Sequence, residues 1–423
     1  MSLSKLAYKG TRDFYPSDKQ KLDYILNKFR GTSELFGYQE YDGPILESEE
    51  LYKSKTSDEI VNNQTFLLID RSNRRLVIRP EMTPTVSRMV AAKRYELAYP
   101  LRLYSIPNVW RYERQQTGRL REHWQLNVDL FGIEDNDAEH ELINLINKIF
   151  VNFGAKSDQY QIRINSRKLM EYIFNVKYSF SPKQTSDLYH LIDQKNKIES
   201  SQFHKELNKI TKDSVIDLNL QKIFDSTSLG QLPKDIQLSD GFRELKDLLD
   251  KLKIDNIVFD PTIVRGFNYY TGIVFEVYDT DPSNKRSILG GGRYDSLISE
   301  FGVKPLPVVG FGLGDLTMFN FLNNHHLMPE LQPKTNLAIA TIGLKLSDIS
   351  GVVDYLREQQ LNVSTNCLDI RLPNKIKWAL KSNYQYLIII GKEELNHQLY
   401  SFKNLKSNVE LKLTIDQIIN KIK

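Results

Sequence analysis

The stretch Arg111–Gln125, RYERQQTGRLREHWQ, sets arginines, glutamates and a histidine around one large aliphatic residue, Leu120, and runs on into LNVDLFG. Side chains alternate across a strand. If this arm is extended, Arg119, Arg121, His123, Gln125, Asn127 and Asp129 share one face, while Leu120, Glu122, Trp124, Leu126, Val128 and Leu130 share the other. The second set is nearly all apolar and suits burial against helices. The first runs from cationic to anionic. A solvated sheet face would also be polar. Two details point to a site instead: amides and one carboxylate replace the usual Lys/Glu mixture, and the charge is graded along the strand. Ten residues at roughly 3.3 Å each span about 33 Å, which is room for phosphates at one end and an ammonium group at the other. Arginine suits phosphate because its planar fork bonds two oxygens at once.

Other segments carry candidate chemistry. VRGFNYYTG, Val264–Gly272, sets Arg265, Asn268, Tyr269, Tyr270 and a threonine between glycines, as a ligand-contacting loop or a tyrosine-rich strand edge. RPEMTP places Glu81 and Thr83 just before a helix, where Thr83 serves equally well as a cap. GGGRYD, which contains Tyr294, lacks the Lys-Ser/Thr of a phosphate-binding P-loop. GFGLGD is G-x-G-x-G, not a dinucleotide fingerprint, and reads as a strand-to-helix junction. No Ser-His-Asp or Cys-His arrangement stands out by spacing.

The elements that position these residues follow from periodicity. Leu22, Ile25, Leu26 and Phe29 predict an amphipathic helix over Asp18–Gly37. YQEYDGPILESEELY reads as a strand broken at Gly43-Pro44 and then a helical start, and LVIRPEMTPTVSRMV as a strand followed by a helix from near Pro84. The segment around Gln115–Gly118 predicts a hairpin, and residues from about Asp137 to Phe153 a helix. A helical insertion is expected over about 170–252; its Lys/Asp/Gln-rich part, Ser181–Leu252, shows no convergent chemistry. Strands not regularly alternating with helices argue an α+β fold, a mainly antiparallel sheet with helices packed on it. Pro329 and Pro333 mark a linker over 326–335, between a first domain, 1–325, and a last one, 336–423. That last domain alternates strands and helices. Leu387–Ile390 suits a strand buried on both faces of a parallel sheet, and Thr414 with Gln417 predicts a capping box.

Composition narrows the class. The chain has 423 residues, 40% hydrophobic and 26% charged, with a net charge of +4 that permits a nucleic-acid partner without arguing for one. No apolar run is long enough for a membrane span and the N-terminus lacks an apolar signal region, so a cytoplasmic protein is expected. A single cysteine, Cys367, excludes an internal disulfide and a Cys-rich zinc site, and His325-His326 lack helical metal spacing. No structural metal is expected.

Taken in order, these segments resemble histidyl-tRNA synthetase, a family of class II aminoacyl-tRNA synthetases. GTRDFYP is similar to the family's opening, GYQEYDGPILE to motif 1 with Pro44 at a dimer interface, and RPEMT to its R-P-E-G-T. WRYERQQTGRLREHWQLNVDLFG resembles motif 2, VRGFNYYTG the histidine-specific loop, and GGGRYD with GFGLGD the motif 3 region; the last domain resembles an α/β anticodon-binding domain. The resemblance implies a class II catalytic domain and a homodimeric ligase that converts L-histidine and ATP, with Mg2+ on the phosphates, to histidyl-adenylate and diphosphate. It then charges the 3' end of histidine tRNA for protein synthesis. Arg111 and Arg265 would be catalytic, with Arg111 on the α-phosphate, Arg119 on the γ-phosphate, and Glu113 and His123 at the adenine. Glu81, Thr83 and Gln125 would surround the histidine ammonium. Asp129 and Tyr270 would address its imidazole, with Tyr269 and Tyr294 lining the pocket and Arg265 also reaching the carboxylate.

The departures are specific. Thr317 stands where the family carries a motif 3 arginine that packs on the adenine and contacts the γ-phosphate. Asn268 replaces an Asp, His123 a Phe, and Asp129 the longer Glu of many relatives. Thr317 and Asn268 keep open a catalytically silent paralogue, the synthetase-like regulatory subunit of ATP phosphoribosyltransferase, which would use the pocket to sense histidine. A pure RNA-binding module leaves the graded strand and Arg265 unused.

Overall fold

The computed structural model describes residues 3–53, 64–113, 119–195, 198–264 and 269–423. Arg265, Asn268 and the turn Gln115–Gly118 lie outside them. The chain divides into two compact units, one holding the residues up to Tyr15 with Lys21–Pro329, the other Pro16–Gln20 with Glu330–Lys423.

In the first unit the strands are β1 (Gln39–Glu40), β2 (Leu46–Ser48), β3 (Phe66–Ile69), β4 (Arg75–Ile78), β5 (Leu101–Ser105), β6 (Asn108–Trp110), β7 (Glu122–Phe131), β8 (Tyr160–Ser166), β9 (Ile257–Phe259), β10 (Ile273–Asp279), β11 (Ser287–Arg293) and β12 (Val308–Gly314). The main sheet runs β1-β5-β7-β12-β11-β10-β8-β9, with β6 also on β7. Among the described residues of this sheet, only β1–β5 and β8–β9 pair in parallel. The sheet is therefore mainly antiparallel, as the irregular strand spacing implied. A separate small sheet, β2-β4-β3, carries the Pro44 segment at its start.

Helices cover the sheet. α1 (Pro16–Leu35) opens with a proline and buries Leu22, Ile25 and Phe29, matching the helical spacing of those residues. α2 (Glu49–Lys53) and α3 (Thr83–Ala92) follow at the expected places. α4 (Asp137–Asn152) buries Leu142 and Ile146 in the same core as Leu126, Val128 and Leu130 of β7. The apolar face of β7 thus does what alternation required. The insertion is helical: α5 (Arg167–Glu171), α6 (Pro182–Gln194), α7 (Ser200–Thr211), α8 (Ser214–Phe224) and α9 (Asp240–Lys251). α6 starts at a Ser181–Gln184 capping box, and its Leu188, Leu191 and Ile192 join the central core. α10 (Asp315–Asn324) follows β12 directly, at the junction expected of GFGLGD.

The second unit has a five-stranded sheet, β14-β13-β15-β16-β17, built from β13 (Leu337–Thr341), β14 (Val363–Asn366), β15 (Tyr386–Ile390), β16 (Tyr400–Asn404) and β17 (Val409–Leu413). Its helices are α11 (Leu346–Glu358), α12 (Leu372–Lys381), α13 (Lys392–His397) and α14 (Ile415–Ile422). β15 is buried on both faces, Ile388 and Ile390 in one cluster and Leu387 and Ile389 in another. The expected parallel sheet is a mixed one: β15 pairs in parallel with β13 but antiparallel with β16. Burial on two faces demands apolar residues at every position but leaves the neighbour's direction open, which is why the sequence misled. The capping box forms, Gln417 N–H donating to the Thr414 hydroxyl at 3.4 Å. Among the described residues no helix is long and apolar enough to cross a membrane.

Candidate active site

A cavity of about 1580 Å³ opens over the main sheet, and β7 forms part of its floor. His123, Gln125 and Asn127 line it, so the polar face of β7 does face a site. The alternation fails before Glu122, where the regular strand begins. Arg119 and Leu120 both line the cavity, although they are neighbours in sequence. Arg121 does not share their site: it donates to the Tyr8 hydroxyl at 2.7 Å, and its guanidinium sits 4.0 Å from the Tyr112 ring centroid. The cause is a change of pairing partner, since the Arg121 N–H is taken by Gly10 O at 2.8 Å.

Two arginines stand on the cavity wall. Arg111 Nε donates to Pro80 O at 2.9 Å, which fixes the guanidinium beside the RPEMT segment. Arg119 pairs with Glu113 at 2.9 Å and keeps half of its side chain exposed. The partly buried His123 is pushed down to about 3, first by burial, then by the Arg111 charge, with a Gln125 hydrogen bond opposing and Arg12 adding to the depression. The ring is therefore neutral at any physiological pH.

Another part of the lining is acidic and aromatic. Glu81 is buried, and the Tyr269 hydroxyl donates to its carboxylate at 3.4 Å. Thr83 lines the cavity from the first turn of α3, whose N-cap is Met82 without a side-chain cap. It is not the cap it could have been. Gln125 Nε2 donates to Asn127 Oδ1 at 2.7 Å, aligning the two amides along the strand. The rings of Tyr269, Tyr270 and Tyr294 pack together, with centroids 4.8 Å apart for the first pair and 5.6 Å for Tyr269 and Tyr294.

Asp129 does not line the cavity but lies beneath it. The Tyr294 hydroxyl donates to its Oδ1, while Oδ2 is buried with no hydrogen-bond partner among the described residues. Burial raises this carboxyl to about 7, Tyr294 opposing and the Glu81 charge adding. β12 makes the room. Gly310 is the cross-strand partner of Asp129, and a Cβ there would sit 2.2 Å from Asp129 Oδ1. A Cβ at Gly312 would sit 2.5 Å from Gln125 Nε2.

The structure thus brings Glu81, Thr83, Arg111, Glu113, Arg119, His123, Gln125, Tyr269, Tyr270 and Tyr294 to one cavity with Asp129 under it. Arg265 lies outside the described residues. Other residues that build the cavity leave little local signal in the sequence. Gly310 and Gly312 were read only as a junction. Arg293 anchors β11 through the fully buried Glu139, at 2.7 and 2.6 Å, and through the Ile133 and Asp135 carbonyls. The insertion, where no convergent chemistry was expected, supplies Tyr189, His190 and Asp193 to the cavity wall, beside Arg167 from just before it. Helical periodicity reveals the buried stripe of such a helix, not what its polar face meets.

The family model described as histidyl-tRNA synthetase matches residues 10–315, and the model described as an anticodon-binding domain matches residues 338–423. A histidine–tRNA ligase of Leptospira biflexa is 38% identical over 98% of this chain and 97% of its own length, and one of Thermoplasma volcanium is 32% identical over 97% and 96%. The crystal structure of histidyl-tRNA synthetase from a Nostoc species matches over all of both chains with a TM-score of 0.82 at 22% identity, a likeness of fold. Fold and matches together define a class II aminoacyl-tRNA synthetase with an anticodon-binding domain. The chain belongs to the histidyl-tRNA synthetase family.

Proposed function

We propose that the chain is a histidine–tRNA ligase whose cavity over β7 activates histidine with ATP. One observation carries the reading: a single cavity is lined both by Arg111 and Arg119 and by Glu81, Gln125 and the tyrosines. Phosphates need the first group and the α-ammonium of an amino acid the second.

The histidine carboxylate is already ionised, so it attacks the α-phosphorus without a general base; the bond to the β-phosphate oxygen breaks and diphosphate leaves. Rate comes from alignment and from cations facing the charge that builds on the phosphates. Arg111 holds the α-phosphate, together with Arg265, and Arg119 the γ-phosphate. Neutral His123 stacks on the adenine, and Glu113 sits at its edge. Glu81, Thr83 and Gln125 hold the ammonium. Asp129 reads the imidazole from beneath the tyrosine cluster, and a ribose hydroxyl at the 3' end of histidine tRNA then displaces AMP. Magnesium would be held mainly by the phosphate oxygens of bound ATP, with Glu276, a carboxylate lining the same cavity, as the residue that would complete its shell; it would neutralise nucleotide charge.

The first unit is proposed as the catalytic domain with its helical insertion, and the second as the reader of the anticodon, working in the cytoplasm. A homodimer is part of the proposal. Ile45, Leu46, Leu67, Leu68 and Ile69 expose apolar side chains on and beside the β2-β4-β3 sheet, next to the exposed Pro44. A histidine-sensing regulatory subunit is the alternative, and the second unit together with the paired arginine sites tells against it.

Histidine-dependent exchange of pyrophosphate into ATP tests the reading. Exchange that requires histidine, with charging of histidine tRNA, is expected. Histidine and ATP binding without exchange would overturn it in favour of the sensor.

A further inference from the structure

Among the cavity's cations without a part in the roles above, Arg286 stands close enough to the proposed phosphate-binding arginine Arg119 to feel its charge. Arg286 lies immediately before β11 and lines the cavity together with Arg111, Glu113 and Arg119. Topology explains the meeting. β12 runs antiparallel to both β7 and β11, so β7 and β11 point the same way. Residues that lead into those two strands, Arg119 and Arg286, therefore sit at the same end of the sheet. Their charges are coupled: burial and then the Arg119 guanidinium pull Arg286 below its ordinary range, while the Glu113 charge opposes. Two guanidinium groups close enough for one to depress the other make this part of the wall cationic, which suits an anionic ligand.

Thr317 lies at that end too, on the first turn of α10. Its hydroxyl is shared between Ile288 O at 2.8 Å and Gly314 O at 3.0 Å. Where the family carries an arginine, this chain has a short side chain that ties α10 to β11, two residues beyond Arg286.

We propose that Arg286 replaces the arginine missing at position 317, contacting the terminal phosphates of ATP and stabilising diphosphate as it leaves. The inference rests on the reading of this cavity as the ATP site. Its neighbour Lys285 also lines the cavity, but a point charge cannot span two phosphate oxygens as a guanidinium does.

The test uses the full-length chain and histidine-dependent pyrophosphate exchange, with KM measured separately for ATP and histidine. Arg286→Ala is expected to lower kcat/KM for ATP by about ten- to a hundredfold, the worth of one charge-assisted contact, and to leave the KM for histidine unchanged. Arg286→Lys should lose less, and adding Thr317→Arg to Arg286→Ala should restore part of the loss, which a merely structural role would not allow. Unchanged ATP kinetics in Arg286→Ala would overturn the proposal, as would an equal loss for both substrates without rescue by Thr317→Arg. Absence of exchange in the unaltered chain would overturn the reading beneath it as well.

Discussion

Tyr294 and Asp129 meet under the cavity floor, the phenol donating to one carboxylate oxygen and leaving the other buried without a hydrogen-bond partner among the described residues. They come from β7 and from the end of β11, two strands separated by β12, and they meet because Gly310 of β12 has no side chain to keep them apart.

Asp129 makes stability depend on pH. Its carboxyl stands at about 7 in the folded chain against an ordinary 3.8, so between roughly pH 4 and pH 7 the folded state holds a proton that the unfolded state has lost. This contribution is full below pH 4 and is lost as pH rises through 7. Asp129→Asn cannot ionise, so its melting temperature should fall less than that of the unaltered chain between pH 5 and about 7.5. Parallel declines in the two proteins would contradict the assignment. The same variant should raise the KM for histidine while leaving that for ATP in place.

His123 is neutral throughout the working range. His123→Phe, which restores the residue usual in the family, should preserve exchange activity within about threefold, the scale of a stacking change of under 1 kcal/mol. It should also leave the pH–rate profile between pH 6 and 8 unmoved, because no titration is removed. A limb of that profile lost with His123 would show a charged imidazole at work.

The Arg293–Glu139 pair is almost wholly buried, at 2% and 0% exposure. Removing one partner strands a charge in the core, so Arg293→Met should destabilise the first unit by about 3–5 kcal/mol in urea denaturation. Glu139→Gln should cost less, since an amide still accepts from the guanidinium. A loss below about 1 kcal/mol for Arg293→Met would mean that the pair is hydrated or readily replaced.

Gly310→Ala should damage histidine recognition more than ATP binding. The added methyl would meet Asp129 Oδ1 at 2.2 Å and the Val128 carbonyl at 2.8 Å, both on the adjacent strand. Titration calorimetry with histidine, and separately with ATP, would measure the split. Equal affinities to those of the unaltered chain would show that β12 can shift to accept a side chain.

Much of this was legible beforehand, and the reason differs from place to place. β7 announced itself because its two faces meet different surroundings, core on one side and cavity on the other, which forces a strict alternation. The prediction broke at Leu120–Arg121, where the backbone pairs with Gly10, more than a hundred residues away in sequence. Such non-local pairing leaves no local signature. Arg286 was overlooked because a Lys-Arg pair before a strand looks like ordinary surface charge. Only the shared direction of β7 and β11 brings it to Arg119. The insertion's Tyr189 and His190 were likewise silent, since a helix displays its apolar stripe in sequence and conceals its polar neighbours. Apart from Arg265, which lies outside the described residues, the residues singled out by the family resemblance meet in or under one cavity, because ordered motifs encode three-dimensional neighbours that periodicity does not.

β7 also sets where the protein can move. Leu126, Val128 and Leu130 are locked in the central core by the same strand that presents Gln125 and Asn127 to the cavity. Displacing the floor therefore requires opening the core, which draws on nearly the full unfolding free energy of the unit. Amide protons of this strand should be among the slowest to exchange, with or without substrate. Adjustment to an arriving ligand then falls to the walls, and the floor serves as a fixed reference against which they close.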